Sequence, residues 1–217
     1  MVRILDSENS LMNRFIAELR DVNIQRDSMR FRRNLERLGE ITAYEISKTL
    51  KYSDQNIETP LGEIAIPLVD EQIVIATVLR AGLPYHQGFL NYLDSAENAF
   101  VSAFRKYSKD GTFNIKIEYV SSCDLAGKTL ILVDPLLATG SSIALTYKAL
   151  IEKAGIPKHT HIAAIIASEE GIEYTKKHFS KRNTTIWCGT VDAELTVKSY
   201  IVPGLGDAGD LAYGEKI

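Results

Sequence analysis

One stretch of the chain sets an acid, a run of small hydroxyl-bearing residues and a helix in immediate succession. It reads Ile131-Leu132-Val133-Asp134-Pro135-Leu136-Leu137-Ala138-Thr139-Gly140-Ser141-Ser142, with apolar positions at helical spacing from Ile143. A short apolar run ending on a carboxylate is the pattern of a buried strand that delivers Asp134 at its carboxyl end. The residues from Pro135 to Ser142 then meet a helix N-terminus. Free backbone N–H groups, the positive end of the helix dipole and the hydroxyls of Thr139, Ser141 and Ser142 make a cradle for phosphate there. Asp134 would face a sugar, because a strand-end carboxylate accepts hydrogen bonds from ribose hydroxyls in doubly wound nucleotide sites. A tight turn capped by Thr or Ser would explain a bare Thr-Gly-Ser, but not the full run.

Two further segments carry chemistry. In Val78-Leu79-Arg80-Ala81-Gly82-Leu83 a strand end presents Arg80 before a small turn. A guanidinium suits diphosphate through its permanent charge and forked donors, although a lone Arg is as readily a surface ion pair. The tail, Tyr200-Ile201-Val202-Pro203-Gly204-Leu205-Gly206-Asp207-Ala208-Gly209-Asp210, is dense in glycine. Such a loop bares its main chain and offers donors and acceptors in fixed geometry to the edge of a heterocycle.

The elements that position these segments are read from hydrophobic period. Leu11, Met12, Phe15, Ile16 and Leu19, then Leu35, Leu38, Ile41, Ile46 and Leu50, recur as in helices. They form an N-terminal helical arm over residues 1–60. Pro60-Leu61-Gly62 breaks the pattern, and Ile64, Ile66 and Leu68 alternate as in a half-buried strand. From Ile73 short apolar runs alternate with helical ones: Ile73 to Leu79, Ala99 to Phe104, Thr129 to Val133, His161 to Ala167 and Thr185 to Cys188. Ile143, Tyr147, Leu150, Ile151 and Ala154 mark a helix face between two of them, closed by Gly155 and Pro157. Repeated strand–helix units predict an α/β fold, a mostly parallel twisted sheet flanked by helices, with ligands at the carboxyl ends of its strands. One hairpin, over residues 98–120, interrupts the rhythm with its turn at Asp110-Gly111. Its Arg105, Lys106, Lys109 and Lys116 could close over an anion, although a solvated edge hairpin explains them as well.

Composition narrows the function. The 217 residues are 45% hydrophobic and 24% charged, with a formal net charge of -3. No basic surplus draws the chain to nucleic acid or an anionic membrane, so an anionic small molecule has to be held by local features. Cys123 and Cys188 lack metal or redox spacing and read as reduced packing residues, and no apolar run is long enough for a membrane span. A cytoplasmic location is the expectation. His86, His159, His161 and His178 show no ligand spacing and are expected at surface or loop positions. Arg30, Arg32 and Arg33 read as a solvated or subunit-facing helix side rather than an RNA contact.

The run through Asp134 resembles the signature that type I phosphoribosyltransferases use for 5-phosphoribosyl-1-diphosphate (PRPP), and Asp-Pro-Leu-Leu-Ala-Thr-Gly is similar to its form in uracil phosphoribosyltransferases. The tail resembles the uracil-binding hood of that family, Leu-Arg-Ala-Gly-Leu its diphosphate loop, and Arg-Phe-Arg-Arg followed by Thr42-Ala43-Tyr44-Glu45 its arm. The resemblance implies one domain over 1–217: arm 1–60, core 61–195 and hood 196–217. It implies transfer of the phosphoribosyl group to N1 of uracil, with Asp134, Arg80 and Asp207 as catalytic residues. PRPP would be held by Arg80, Arg105, Asp134, Pro135, Leu136, Leu137, Ala138, Thr139, Gly140, Ser141, Ser142 and Asp207. Uracil would be held by Tyr200, Ile201, Gly206, Asp207 and Ala208. Mg²⁺ is the implied cofactor, held mainly by PRPP and water, and a homo-oligomer, dimer or tetramer, the implied assembly.

Several positions depart from the family. Pro84 and Gln87 stand where Gly and an acid are usual, Ser141 where the phosphate loop has a second Gly, and Leu211 where a basic residue follows the hood. The hairpin beyond Arg105 lacks the usual pattern, which leaves its lid residues and a GTP effector open. The competing reading is a regulatory protein of the same fold that senses nucleotides and binds RNA. The intact hood and the absent basic surplus argue against it.

Overall fold

The computed structural model describes residues 1–107 and 113–216, and the side chains of all of these except 104–107 and 113–115. In chain order, β1 (Val2–Ile4) and a 3-10 turn lead into α1 (Leu11–Arg20), α2 (Ser28–Ser47) and a hairpin of β2 (Tyr52–Thr59) and β3 (Gly62–Val69). Then follow β4 (Ile73–Leu79), α3 (Gly82–Leu90), β5 (Glu97–Tyr107), β6 (Phe113–Ser121), β7 (Thr129–Val133) and β8 (Leu136–Leu137). After them come α4 (Ser141–Ala154), β9 (His159–Ser168), α5 (Glu169–His178) and β10 (Thr184–Asp192). The tail adds β11 (Glu194–Leu195), β12 (Ile201–Val202) and α6 (Ala208–Tyr213).

The main sheet runs β1-β10-β9-β7-β4-β5-β6, with β8 against β9 off this path. Its pairings are parallel except β5 with β6. The expected helix-flanked, mostly parallel sheet is therefore the architecture found. Strand pleat explains why the central runs are apolar throughout: Ile75, Ile131 and Val133 face one core with α2 and α3, while Ala76, Leu130 and Leu132 face a second core with α4 and α5. Helix α2 approaches α3 closely enough that a Cβ on Gly88 would lie 2.0 Å from the Glu36 carbonyl oxygen. Only glycine permits that contact.

Three expectations need correction. The first ten residues, expected within the helical arm, include the strand β1, whose Val2 pairs with Ile186 at the end of the main sheet. The strand through Ile64, Ile66 and Leu68 is not half-buried: these side chains are 53%, 37% and 38% exposed, in a hairpin whose first strand is polar enough to escape notice. His86 and His161 are buried, in α3 and β9, rather than on the surface. Arg30, Arg32 and Arg33, expected on a solvated or subunit-facing helix side, stay partly or largely exposed while each has a partner in the chain: Arg30 pairs with Glu18, Arg32 donates to the Ala212 carbonyl and Arg33 pairs with Glu36.

The expected hairpin of β5 and β6 is present, with a register shift at Ser102/Ala103. Lys109, the Asp110-Gly111 tip and the side chains of Arg105 and Lys106 lie outside the described residues. Lys116 pairs with Glu118. Among the described residues no helix is long and apolar enough to cross a membrane.

Candidate active site

A cavity of about 870 Å³ opens at the carboxyl edge of the sheet. Arg80 and Ala81 enter it from the end of β4, Ser102 and Ala103 from β5, Asp134 from the end of β7, and the tail closes over it from Ser199 to Asp210. Leu136, Leu137, Ala138, Thr139, Gly140 and Ser142 line it, as do Tyr200, Ile201, Gly206, Asp207 and Ala208. Segments far apart in sequence thus meet on one space because parallel strands send their carboxyl ends to the same edge. Pro135 and Ser141 do not line the cavity. The Pro135 carbonyl accepts from the N–H groups of Ile165 and Ile166, which fastens the loop to β9, and the Ser141 hydroxyl is bonded to that of Thr139.

The cradle depends on Gly140, which precedes α4 at φ 77°, in the left-handed region. A Cβ there would also stand 2.9 Å from the Gly171 carbonyl oxygen, so conformation and space both require glycine. Behind the loop, the Ser168 hydroxyl donates to the Ala138 carbonyl at 2.5 Å and accepts from the Gly171 N–H at 2.9 Å. The start of α4 borders the cavity through Gly140, Ser142 and Ile143, and the N–H groups of a helix's first turn, which lack partners within the helix, suit an anion. Ser168, Gly171 and Thr175, the last donating to the Gly171 carbonyl, are supporting residues that the sequence reading passed over.

Arg80 follows a cis Leu79-Arg80 peptide. Its Nη2 donates to Asp210 Oδ1 at 2.8 Å and to the Gly214 carbonyl at 3.2 Å, while its buried Nε has no partner among the described residues. The guanidinium is therefore part of the tail's attachment and still holds a donor in reserve. Asp134 Oδ1 lies 3.5 Å from the Leu136 nitrogen. Asp207 caps α6, its Oδ1 accepting from Gly209 and Asp210 N–H at 2.9 and 3.0 Å, and its Oδ2 lies 3.3 Å from Lys216 Nζ.

The tail holds its shape through a clamp with no sequence signal. Arg20, at the end of α1, donates to both oxygens of Asp192 at 2.8 Å and to the Gly204 carbonyl at 3.0 Å. Asp192 also accepts from the Gly204 N–H at 2.9 Å. Burial would raise the Asp192 pKa, but the Arg20 and Gly204 hydrogen bonds outweigh it and the carboxyl sits below its ordinary value. Arg32 adds a second tether at the Ala212 carbonyl, 2.7 Å, with its guanidinium 5.8 Å from the Tyr213 ring centre.

The family model described as uracil phosphoribosyltransferase matches residues 7–215. This chain belongs to the uracil phosphoribosyltransferase family. It is 56% identical over 213 residues to the uracil phosphoribosyltransferase of Porphyromonas gingivalis, covering 98% of each. A solved structure of an Aquifex aeolicus protein superposes with a TM-score of 0.87 at 28% identity, over 99% of this chain and 98% of that one. The adenine phosphoribosyl transferase of Trypanosoma brucei, solved with AMP, pyrophosphate and ribose-5-phosphate, has a TM-score of 0.53 at 13% identity, over 95% and 88%. That second likeness is one of fold. The positions expected to depart from the family pattern lie off the cavity wall: Pro84 is buried in the first turn of α3, and Gln87 donates to Asn91 across one helical turn. Leu211 packs on the core, and Lys216 reaches the cavity from the tail instead.

Proposed function

We propose that this chain joins uracil to PRPP, giving UMP and pyrophosphate. The observation that carries the reading is that cradle, Arg80 and glycine-rich hood line one cavity, as a reaction between a phosphorylated sugar and a base requires. N1 of uracil forms a bond to C1 of the ribose as the bond from C1 to the diphosphate oxygen breaks, and the N1 proton passes to solvent. The α4 N-terminus and Thr139 hold the 5′-phosphate. Asp134 orients the ribose hydroxyls and offsets the positive charge that grows on the sugar. Arg80 leaves Asp210 for the diphosphate, and the main chain of Ile201, Gly206 and Ala208 reads the uracil edge. Arg105 is proposed as a second PRPP contact.

Mg²⁺ belongs to this reading as the counter-charge of the departing diphosphate. Among the described residues no three His, Cys, Asp or Glu side chains converge as a metal cage. That donor set fits an ion held by diphosphate oxygens and water, with Asp134 and Asp207 as nearby carboxylates.

The reading extends to a homo-oligomer. A hairpin standing apart from the main sheet is marginal in water, and β2–β3 carries Ile57, Ile64, Ile66 and Leu68 on one face. A second copy of the chain covers that face. The free thiols of Cys123 and Cys188 suit a cytoplasmic setting. Purified protein with labelled uracil, PRPP and Mg²⁺ should yield UMP, with cytosine, hypoxanthine and adenine poor substitutes, and adding GTP tests it as an effector. Equal use of uracil and a purine base overturns the assignment.

A further inference from the structure

A second cavity, of about 240 Å³, lies at the opposite edge of the sheet. It is lined by the starts of β1, β7, β9 and β10 through Arg3, Thr129, His159, His161 and Thr185, with Lys158 and Glu71 beside them. Thr129 and Asp134 bracket β7, so the two cavities are separated by roughly 16 Å of strand at about 3.3 Å per residue.

Its polar groups are unevenly used. Glu71 is occupied, accepting from the Lys51 N–H at 2.8 Å and from the Thr129 hydroxyl. Arg3 stacks over Trp187 at 5.0 Å, and neither Arg3 nor Lys158 makes an ion pair among the described residues. His161 is 4% exposed, and its Nδ1 accepts the Trp187 indole N–H at 3.0 Å. A neutral ring in that arrangement carries its proton on Nε2. Burial first, then the charges of His159 and Arg3, push its pKa down to about 3, which keeps the ring neutral. Its Nε2–H makes no hydrogen bond among the described residues and is open to the cavity rather than sealed in the core. Arg3 and Lys158, outside any ion pair among the described residues, the open His161 Nε2–H and the hydrogen-bonded Glu71 carboxylate thus surround a space of about eight water volumes, at about 30 Å³ each.

We infer that this cavity is an anion site, taking a phosphoryl group from inorganic phosphate or from the end of a nucleotide. Arg3 and Lys158 supply the charge, and His161 Nε2–H a directed hydrogen bond. The site is separate from the cradle and does not depend on the proposed reaction.

Trp187, the only tryptophan in the chain, is in contact with this site and serves as its probe. Inorganic phosphate titrated into the full-length protein at constant ionic strength, balanced with chloride, should change its fluorescence saturably. Arg80→Ala, at the other edge, should leave that midpoint unchanged. Arg3→Ala with Lys158→Ala should raise it about tenfold or more, since each removes a charge-assisted contact. Circular dichroism checks the fold, and Lys158→Ala alone serves if the double variant is unstable, because its side chain is exposed. Saturation by ATP or GTP at lower concentration than phosphate assigns the nucleotide as the source, and the reverse order assigns free phosphate. No saturable change with any of these probes, or one that survives the variants, overturns the site.

Discussion

The cradle and the hood share a cavity, yet they are fixed by interactions of very different reach. Ala138 in the cradle is held by Ser168, 30 residues away on the adjoining strand. The hood is held by Arg20, which is 172 residues from Asp192 and 184 from Gly204. A loop between a strand and the helix that follows inherits its shape from its own neighbours in the sheet. A glycine-rich tail inherits little and has to be clamped from elsewhere. Damage to the cradle should therefore appear in PRPP handling and turnover, and damage to the clamp in uracil binding and stability.

The largest effect should come from Asp134→Asn, which keeps shape and hydrogen-bonding capacity but removes charge. Loss of one preorganised electrostatic group typically costs about 10²- to 10³-fold in kcat, and a fall of that size is expected with an unchanged melting temperature. Retained activity with lowered stability would make Asp134 a loop cap. Arg80→Ala tests whether the cradle side and the hood are independent, because Arg80 serves both through Asp210. Losing a charge-assisted contact of about 1.5 to 3 kcal/mol should lower kcat/KM for PRPP by roughly tenfold to 150-fold. An unchanged PRPP constant would leave Arg80 as tail attachment alone.

Arg20→Ala should move the other side of the comparison. Asp192, 7% exposed in its side chain, would lose its partner, at a cost of about 3 kcal/mol and roughly 6 to 12 °C in melting temperature. The uracil KM should rise about tenfold, as one such contact implies, with little change for PRPP. Acid provides an internal check. A carboxyl whose folded pKa is depressed adds stability above its unfolded value, about 3.9, and loses it as pH falls through the folded value. The difference in melting temperature between wild type and Arg20→Ala should therefore be full near neutrality and shrink below pH ~4. A constant gap across that range would remove Asp192 from the explanation.

This contrast also explains what was legible in the sequence. The strand-to-helix unit around Asp134 declares itself because apolar run, acid, small loop and helix stand in one stretch, and burial on both faces enforces that composition. The tail was legible by its glycines, but its clamp was not: Arg20 looks like any charged residue at a helix end, and Asp192 like a polar strand end. His161 misled for a related reason. Burial of a neutral imidazole needs only one good partner, and the Trp187 indole that provides it is 26 residues away. Strand β2 escaped because Ser53, Asp54, Gln55 and Asn56 carry no apolar alternation.

The smallest effect should come from Arg32→Ala, and it sharpens the comparison most finely. Arg32 holds the last helix of the tail through one hydrogen bond to the Ala212 carbonyl and a contact with the partly exposed Tyr213 ring. At an exposed site these are worth about 1 kcal/mol together, far less than the two-oxygen grip of Arg20 on Asp192. Because Asp192 and Gly204 would still be clamped, loss of Arg32 loosens only α6 and the residues beyond it. The uracil KM should rise roughly twofold to fivefold, with kcat and the PRPP constant unchanged. Arg32→Lys should recover part of the loss, since an ammonium can reach the same carbonyl but cannot lie flat on the ring. If Arg32→Ala raises the uracil KM as much as Arg20→Ala, the hood is one rigid unit held equally at both ends. If it raises the PRPP constant instead, α6 belongs with the cradle, through Asp210 and Arg80, and the division between the two regions fails.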